Sequence, residues 1–328
     1  MLPIKKLACI PMILLMACAA ASCVGVRTSS YDAVKIEIPV EAGLKTPECA
    51  LHDEKADIYL VSNINGSPHG KDKAGFISRV APSGKILELK WIDGSAEGIT
   101  LNAPKGLALV GDTLYAADVN AVRKFDRVSG KPTGVIDFKG ASFLNDLASG
   151  PDGKVYVSDS GFGGDKDAPR TDAVYEISPD DSVKALTRGE AVPSPNGLLV
   201  TFGGLLVCTW NSGELLWARA REGRERLVAK LPMNQLDGIV VDKDGSLLIT
   251  SWAGKCVYRY SEKGISKAVE NLDSPADPGW DAKRGRLLIP HFKQDRLSII
   301  TPCAPTSFFR RTEALRAPCE RCRHAPWS

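Results

Sequence analysis

Short apolar segments recur along the chain, and turn sequences rich in glycine, proline and aspartate separate them. In one unit Pro195–Leu198 is followed by the apolar run 204–209, and in another Leu236–Ile239 is followed by 247–251. A polar turn such as Asp242–Gly245 lies between the two halves of a unit, and further short strands follow. Short alternating strands joined by such turns are typical of antiparallel sheets. The pattern therefore predicts an all-β fold.

The same unit occurs six times, with spacings of roughly 40–55 residues. The copies begin at Pro47, Pro104, Leu144, Pro195, Leu236 and Pro275. Three or four short strands per copy are typical of propeller blades, so six copies predict a six-bladed β-propeller over residues 31–301. The alternating segment 33–38 precedes the first blade. We expect it to pair with the last blade beside Arg296–Ile300, because ring closure removes exposed sheet edges.

The two ends of the chain differ from this body. Residues 1–23 carry Lys5 and Lys6, an apolar stretch and a small-residue cleavage zone, which predicts an export signal. Cys23 and Cys18 each follow a sequence like a bacterial lipoprotein cleavage box. We expect a periplasmic protein that is either released or lipid-anchored, with no membrane span after processing; an uncleaved anchor is the alternative. Residues 302–328 are predicted to be a poorly ordered tail.

Composition excludes some function classes. The net charge of the whole chain is +3, and the body between the two basic ends is near −2 with mixed signs. A nucleic-acid binder needs a basic field, so we expect no nucleic-acid partner. Cys49, Cys208 and Cys256 lie in apolar strand contexts and are predicted to be buried free thiols. A small-molecule ligand and a monomeric state are the remaining expectations.

Superposing the six units aligns one residue from each entry turn. This column, called here the entry column, reads Glu48, Lys105, Asn145, Asn196, Asp237 and Ala276. Because inner propeller strands converge on a central channel, these side chains are expected to meet at its mouth. Carboxylate and amide oxygens are the ligands that Ca²⁺ prefers. Asn and Asp also favour tight turns, so the alternative is that several of them are turn residues only.

With these motifs in order, the chain resembles the regucalcin–gluconolactonase family of calcium-dependent lactone hydrolases, and its blade sequences are also similar to NHL-type repeats. The matching segments are Pro47-Glu48, Phe143–Asp146, Pro195–Leu198 and Leu236–Ile239. The resemblance implies that Glu48, Asn196 and Asp237 bind the divalent ion. It also implies that Asn145 faces substrate or a bound water and that Asp237 acts as the general base.

The resemblance has departures. Phe143 stands where the family commonly has an arginine that holds a sugar-acid hydroxyl, and Lys105 is the candidate for a replacement positive group. At the ends of the second strands, Asp159 and His291 are further candidates for substrate contacts. The function expected is hydrolysis of lactones or related esters. The alternative is a non-catalytic exported propeller that binds a small molecule or a partner protein, with the metal structural or absent.

Overall fold

The computed structural model describes residues 34–163, 169–218 and 226–301. The expected export signal at 1–23, with Cys18 and Cys23, and the expected tail at 302–328 lie outside the described residues. None of the helices in the described ranges has the length and hydropathy needed to cross a membrane.

The described chain forms six four-stranded antiparallel sheets, which confirms the six-bladed propeller. Numbered in chain order, the strands are β1 Val34–Ile38, β2 Pro47–Asp53, β3 Ile58–Asn63, β4 Phe76–Val80, β5 Ile86–Asp93, β6 Pro104–Val110, β7 Thr113–Asp118, β8 Ala121–Asp126, β9 Pro132–Asp137, β10 Leu144–Ser149, β11 Val155–Asp159, β12 Ala173–Ile177, β13 Val183–Arg188, β14 Pro195–Thr201, β15 Gly204–Thr209, β16 Glu214–Ala218, β17 Arg226–Lys230, β18 Leu236–Val241, β19 Leu247–Ser251, β20 Cys256–Ser261, β21 Gly264–Val269, β22 Gly279–Asp281, β23 Arg286–His291 and β24 Arg296–Thr301. Three short 3₁₀ helices accompany them, at Val40–Ala42, Gly189–Ala191 and Phe292–Gln294.

Blades 1 to 5 are consecutive sets of four strands, β2–β5 through β18–β21. Blade 6 has the order β22-β23-β24-β1, so the N-terminal strand supplies its outer edge. Val34 pairs with Thr301 and Ile38 with Leu297 along this antiparallel contact. The predicted closure of the ring by the N-terminal strand is therefore confirmed.

Apolar side chains from neighbouring blades hold the ring together. Leu60 and Ile77 of blade 1 are buried in one cluster with Leu107 and Phe125 of blade 2. Burying such a side chain stabilises the fold by about 1.5–3 kcal/mol. Cys49, Cys208 and Cys256 are buried free thiols, as expected.

Close to the axis the blades approach so tightly that only glycine fits at some positions. A Cβ on Gly238 would lie 1.9 Å from Oδ1 of Asp277, and one on Gly197 would lie 2.5 Å from the carbonyl oxygen of Asp237. Glycine at these two positions lets adjacent inner strands pack backbone to backbone. The residues that precede them, Asn196 and Asp237, are thereby drawn toward the centre of the ring.

Candidate active site

Each inner strand of blades 1 to 5 contains a register shift, and this shift directs the side chain of its entry-column residue into the channel. The strand register shifts between Pro47 and Ala50, between Leu144 and Leu147, and between Leu236 and Ile239. The same shift occurs at the corresponding places of β6 and β14. A β-bulge bends its strand and re-aims a side chain. The bulges span the residues of the entry column, so these side chains converge although they are far apart in sequence.

Hydroxyl groups on the second strands satisfy the backbone at three of these bulges. The backbone N–H of Cys49 donates to Ser62 Oγ at 2.9 Å. In the same way, the N–H of Asp146 donates to Ser158 Oγ and the N–H of Gly238 donates to Thr250 Oγ1, each at 2.9 Å. A buried N–H without a partner would be costly, so the hydroxyls stabilise the irregular backbone that the site requires.

The channel mouth holds a cavity of about 300 Å³. Five members of the entry column line it and are only 1–5% exposed. We call these five the polar floor: Glu48, Lys105, Asn145, Asn196 and Asp237. The sixth member, Ala276, is fully buried and is not among the lining residues.

Asp237 is the most extensively hydrogen-bonded carboxylate of the floor. Its Oδ2 accepts a 2.6 Å hydrogen bond from Trp252 Nε1, and its Oδ1 accepts one of 3.2 Å from Asn196 Nδ2. Burial raises the pKa of Asp237 to about 7, while the hydrogen bond from Trp252 opposes the rise. In the cation-free site this carboxyl group can hold or release a proton near neutral pH, whereas a bound cation would lower its pKa and make it a weaker base.

Glu48 lies in a different environment. Its Oε2 is enclosed and makes no hydrogen bond within the described residues. Burial raises the pKa of Glu48 well above its usual value, the carboxylate of Asp237 adds to the rise, and Lys105 opposes it. Leaving a buried carboxylate oxygen without a partner is costly. The atom therefore points to a missing cation or hydrogen-bond donor in the cavity.

Lys105 is buried, and its Nζ donates a 3.1 Å hydrogen bond to the carbonyl oxygen of Ala103. The same ammonium lies 4.3 Å from the centre of the Phe143 ring, a cation–π contact. Burial lowers the pKa of Lys105 to about 8, and the nearby charge of Glu48 acts against the decrease. Lys105 therefore brings a positive charge to the floor, and Phe143 occupies the space beside it.

The two amides of the floor are oriented by their neighbours. Asn145 Nδ2 donates to Ser160 Oγ at 3.0 Å, and Asn196 Nδ2 donates to the carbonyl oxygen of Leu236 at 3.2 Å as well as to Asp237. These hydrogen bonds from the nitrogens fix the orientation of both amides and leave their oxygens available to a ligand in the cavity. An oxygen set from Glu48, Asn196 and Asp237 matches the donors that Ca²⁺ takes.

The described residues contain no group of three or more His, Cys, Asp or Glu side chains placed to hold a metal ion. The expected ligands Glu48, Asn196 and Asp237 do not form such a group, because one of the three is an amide and only two are carboxylates. These residues fit a hard cation for two reasons: their donors are oxygens, and Oε2 of Glu48 has no hydrogen-bond partner in the described part of the chain.

The structure places Asp159 and His291 outside the residues that line the cavity. Asp159 accepts the backbone N–H of Phe143 at 2.9 Å and that of Gly161 at 3.1 Å, which orders the turn before β10. His291 Nε2 lies 2.7 Å from Ser298 Oγ, which donates in turn to Glu37 Oε1. Both side chains thus stabilise loops and strand contacts in this structure.

Sequence reasoning named Phe143 but missed the other aromatic side chains that surround the cavity. They form a continuous series of ring contacts with centroid separations from 4.7 to 6.2 Å. We call this series the aromatic collar: His69, Phe143, Phe162, Trp210, Trp252 and Phe292. All six line the cavity, and most are more exposed than the floor. Trp210, Trp252 and Phe292 each directly follow the second strand of their blade, and this shared position was the signal available in the sequence.

Comparison with known proteins agrees with this architecture. The gluconolactonase of Xanthomonas campestris aligns with 83% of this chain and 90% of its own at 20% identity and a TM-score of 0.64. The virginiamycin B lyase of Staphylococcus aureus aligns with 83% of this chain and 100% of its own at 12% identity and a TM-score of 0.59. At these identities the two structures support the fold alone.

No curated protein sequence matches the chain. Residues 81–278, more than half of the chain, match the family model described as the SMP-30/Gluconolactonase/LRE-like region. That segment contains Lys105, Asn145, Asn196 and Asp237 of the polar floor. The chain belongs to the SMP-30/gluconolactonase/LRE-like family of six-bladed β-propellers.

Proposed function

We propose that the protein is an exported hydrolase of lactones or related esters that depends on a divalent cation of the Ca²⁺ type. The family supports lactone hydrolysis. The proposal is carried by the pairing of Glu48 with Asp237 in one cavity, because the buried Oε2 of Glu48 has no hydrogen-bond partner among the described residues. Glu48, Asn196 and Asp237 would hold the cation.

When bound, a divalent cation supplies positive charge that polarises the ester carbonyl. Asn145 orients the attacking water, and Asp237 accepts a proton from it. The water oxygen then bonds to the carbonyl carbon, and the negative charge that develops on the carbonyl oxygen faces the ammonium of Lys105 across the floor. Cleavage of the ring C–O bond follows, and the proton held by Asp237 passes to the leaving alkoxide oxygen. The product is a hydroxy acid.

Calorimetric titration with Ca²⁺, paired with a hydrolysis assay on a lactone panel, tests this proposal. We expect one ion per chain and activity that a chelator abolishes. Glu48→Gln and Asp237→Asn should each weaken binding at least 100-fold, roughly the loss expected when a charged ligand leaves a small ligand set. Glu88→Gln is a matched control, because Glu88 is an exposed carboxylate on the outer strand of blade 1.

Two outcomes contradict the proposal in different ways. Hydrolysis that persists in chelator and without any heat of Ca²⁺ binding would exclude the metal. Tight Ca²⁺ binding without turnover of any lactone would support the alternative, a non-catalytic binding propeller with a structural ion.

Export is part of the proposal and rests on residues 1–23. Cell fractionation and mass spectrometry of the mature N-terminus test it directly. A lipid-modified Cys23 or Cys18 would establish an anchor, an unmodified new N-terminus near residue 24 would establish release, and an intact Met1 in the soluble cell fraction would refute export.

A further inference from the structure

The residues that line the cavity fall into two sets. Apart from the polar floor, the described lining residues are the aromatic collar, in which His69 is the one titratable ring, and the apolar Ile64 and Pro68. The collar draws its residues from blades 1, 3, 4, 5 and 6, so it surrounds most of the mouth. Trp210 and Trp252 meet edge to face at 5.1 Å, and Trp252 and Phe292 lie 5.0 Å apart. Rings that pack on each other in this way are held in place by one another, and they present hydrocarbon to the cavity.

A polyhydroxylated sugar lactone is a poor match for such a wall. Its hydroxyl groups point outward around the ring, and each one that loses water without finding a partner costs free energy. Aromatic rings can stack on one face of a sugar, but polar groups must then reach the hydroxyls at its rim. Here each collar ring contacts other collar rings, as Phe162 does between Phe143 and Trp210. Arg170 and Lys293 also contact Phe162 and Trp252, but neither is among the described residues that line the cavity.

Phe143 strengthens this conclusion at the border between collar and floor. It is 8% exposed, lies 4.7 Å from the His69 ring and covers the ammonium of Lys105 at 4.3 Å. Lys105, the one lysine among the described residues that line the cavity, therefore has an aromatic ring against it. Lys105 remains able to attract the ester group below, but it is poorly placed to bind hydroxyls higher in the cavity.

We propose that the collar binds an apolar ring or alkyl substituent, so that the substrates are lactones or esters carrying an aromatic or aliphatic group rather than polyhydroxylated sugar lactones. The proposal rests on the hydrolase function proposed above. The ester group lies on the polar floor and the substituent lies against the collar. A volume of about 300 Å³ is at the small end of ligand cavities and admits a lactone ring with one further ring.

Three lactones test the proposal with the purified full chain in the presence of Ca²⁺: γ-phenyl-γ-butyrolactone, unsubstituted γ-butyrolactone and gluconolactone. The first two share one ester ring and differ only in the apolar group. We expect kcat/KM to be at least about tenfold higher for the phenyl compound than for the unsubstituted one, the scale of discrimination that an apolar pocket achieves. Gluconolactone should be the poorest of the three relative to its uncatalysed hydrolysis.

Trp210→Ala should reduce the preference for the phenyl compound about fivefold or more, because it removes the centre of the collar. Phe202→Ala is the matched control. Phe202 belongs to the same blade but is fully exposed at the β14–β15 turn, and its removal should leave the preference unchanged. An equal preference in wild type and Trp210→Ala, or a wild type that favours gluconolactone, would overturn the inference while the hydrolase function stands.

Binding of an ester-free analogue separates this inference from the hydrolase proposal. Phenyltetrahydrofuran should quench or shift the fluorescence of Trp210 and Trp252, and tetrahydrofuran at the same concentration should not. If no lactone is hydrolysed but the phenyl analogue binds and Trp210→Ala abolishes this binding, the hydrolase proposal fails and the apolar site stands. If lactones are hydrolysed and the phenyl analogue does not bind, the apolar site fails.

Discussion

The indole Nε1 of Trp252 donates a 2.6 Å hydrogen bond to Oδ2 of Asp237, so one residue of the aromatic collar directly positions the carboxylate of the polar floor. The bond opposes the effect of burial on the pKa of Asp237 and thus favours the ionised form. Together with the hydrogen bond from Asn196 to Oδ1, it fixes the orientation of the carboxylate. The collar and the floor are therefore coupled parts of one site.

Trp252→Phe should weaken Ca²⁺ binding about tenfold, because the carboxylate loses the donor that orients it and stabilises its charge. The phenyl ring retains most of the contact with Trp210 and Phe292. Calorimetry measures the affinity, and Trp210→Phe is the control, since Trp210 also belongs to the collar but is not the donor to Asp237. Equal losses in both variants would show that the hydrogen bond itself does not matter.

Lys105→Met should have opposite effects on cation binding and on turnover. Removing a buried positive charge from the floor should strengthen Ca²⁺ binding by about tenfold, because like charges in a low-dielectric site repel each other. The same change should lower kcat, since the developing negative charge loses a stabilising partner. Calorimetry and steady-state kinetics measure the two effects. Lys131→Met, at an exposed position of blade 2, should change neither. An unchanged Ca²⁺ affinity in Lys105→Met would refute the electrostatic role.

The free energy of unfolding should depend on pH because His291 is buried in the folded protein. Burial and the charge of Arg296 lower the pKa of His291 to about 4, and Lys35 also acts to lower it, while Asp273 acts to raise it. The folded protein therefore holds a neutral imidazole where the unfolded chain binds a proton. The contribution of neutral His291 to the free energy of unfolding should be fully present above pH 6.5. It should decrease as the pH falls toward 4, by up to about 3 kcal/mol.

This effect must be measured as a difference between proteins. Burial raises the pKa of Asp146 and of Asp237 to about 7, so these groups lower the stability as the pH rises over the same range. Denaturant unfolding of wild type and His291→Gln at several pH values isolates the histidine. Stability curves that stay parallel from pH 7 to pH 4 would show that His291 does not titrate in this way.

The repeat pattern predicted the fold and the position of all five residues of the floor for one physical reason. Propeller blades share a register, so aligning entry turns in sequence also aligns Glu48, Lys105, Asn145, Asn196 and Asp237 in space. The β-bulges that aim them have no simple sequence signature. The expected closure by residues 33–38 follows the same logic, because an open ring would leave β24 with an unpaired edge.

Aligning the blades could have indicated only half of the collar. Trp210, Trp252 and Phe292 occupy equivalent positions, but Phe143 precedes an inner strand, and His69 comes from the loop between β3 and β4. Loop conformation, not strand register, brings those two rings to the mouth. Asp159 also shows the limit of the register argument, because its carboxylate faces the backbone of Phe143 rather than the cavity.

Closure of the ring by β1 gives the last prediction, Ile38→Ala. Ile38 is 1% exposed and packs in one cluster with Tyr59 of blade 1 and Leu297 of β24, so it joins the last blade to the first. Truncating it should lower the free energy of unfolding by about 3 kcal/mol, the usual scale for emptying a buried isoleucine site. Ile265→Ala is the control, because Ile265 lies 37% exposed on the outer strand of blade 5 and its loss should cost well under half as much. Denaturant unfolding measures both, and equal losses would mean that β1 contributes no more to the ring than an ordinary outer strand does.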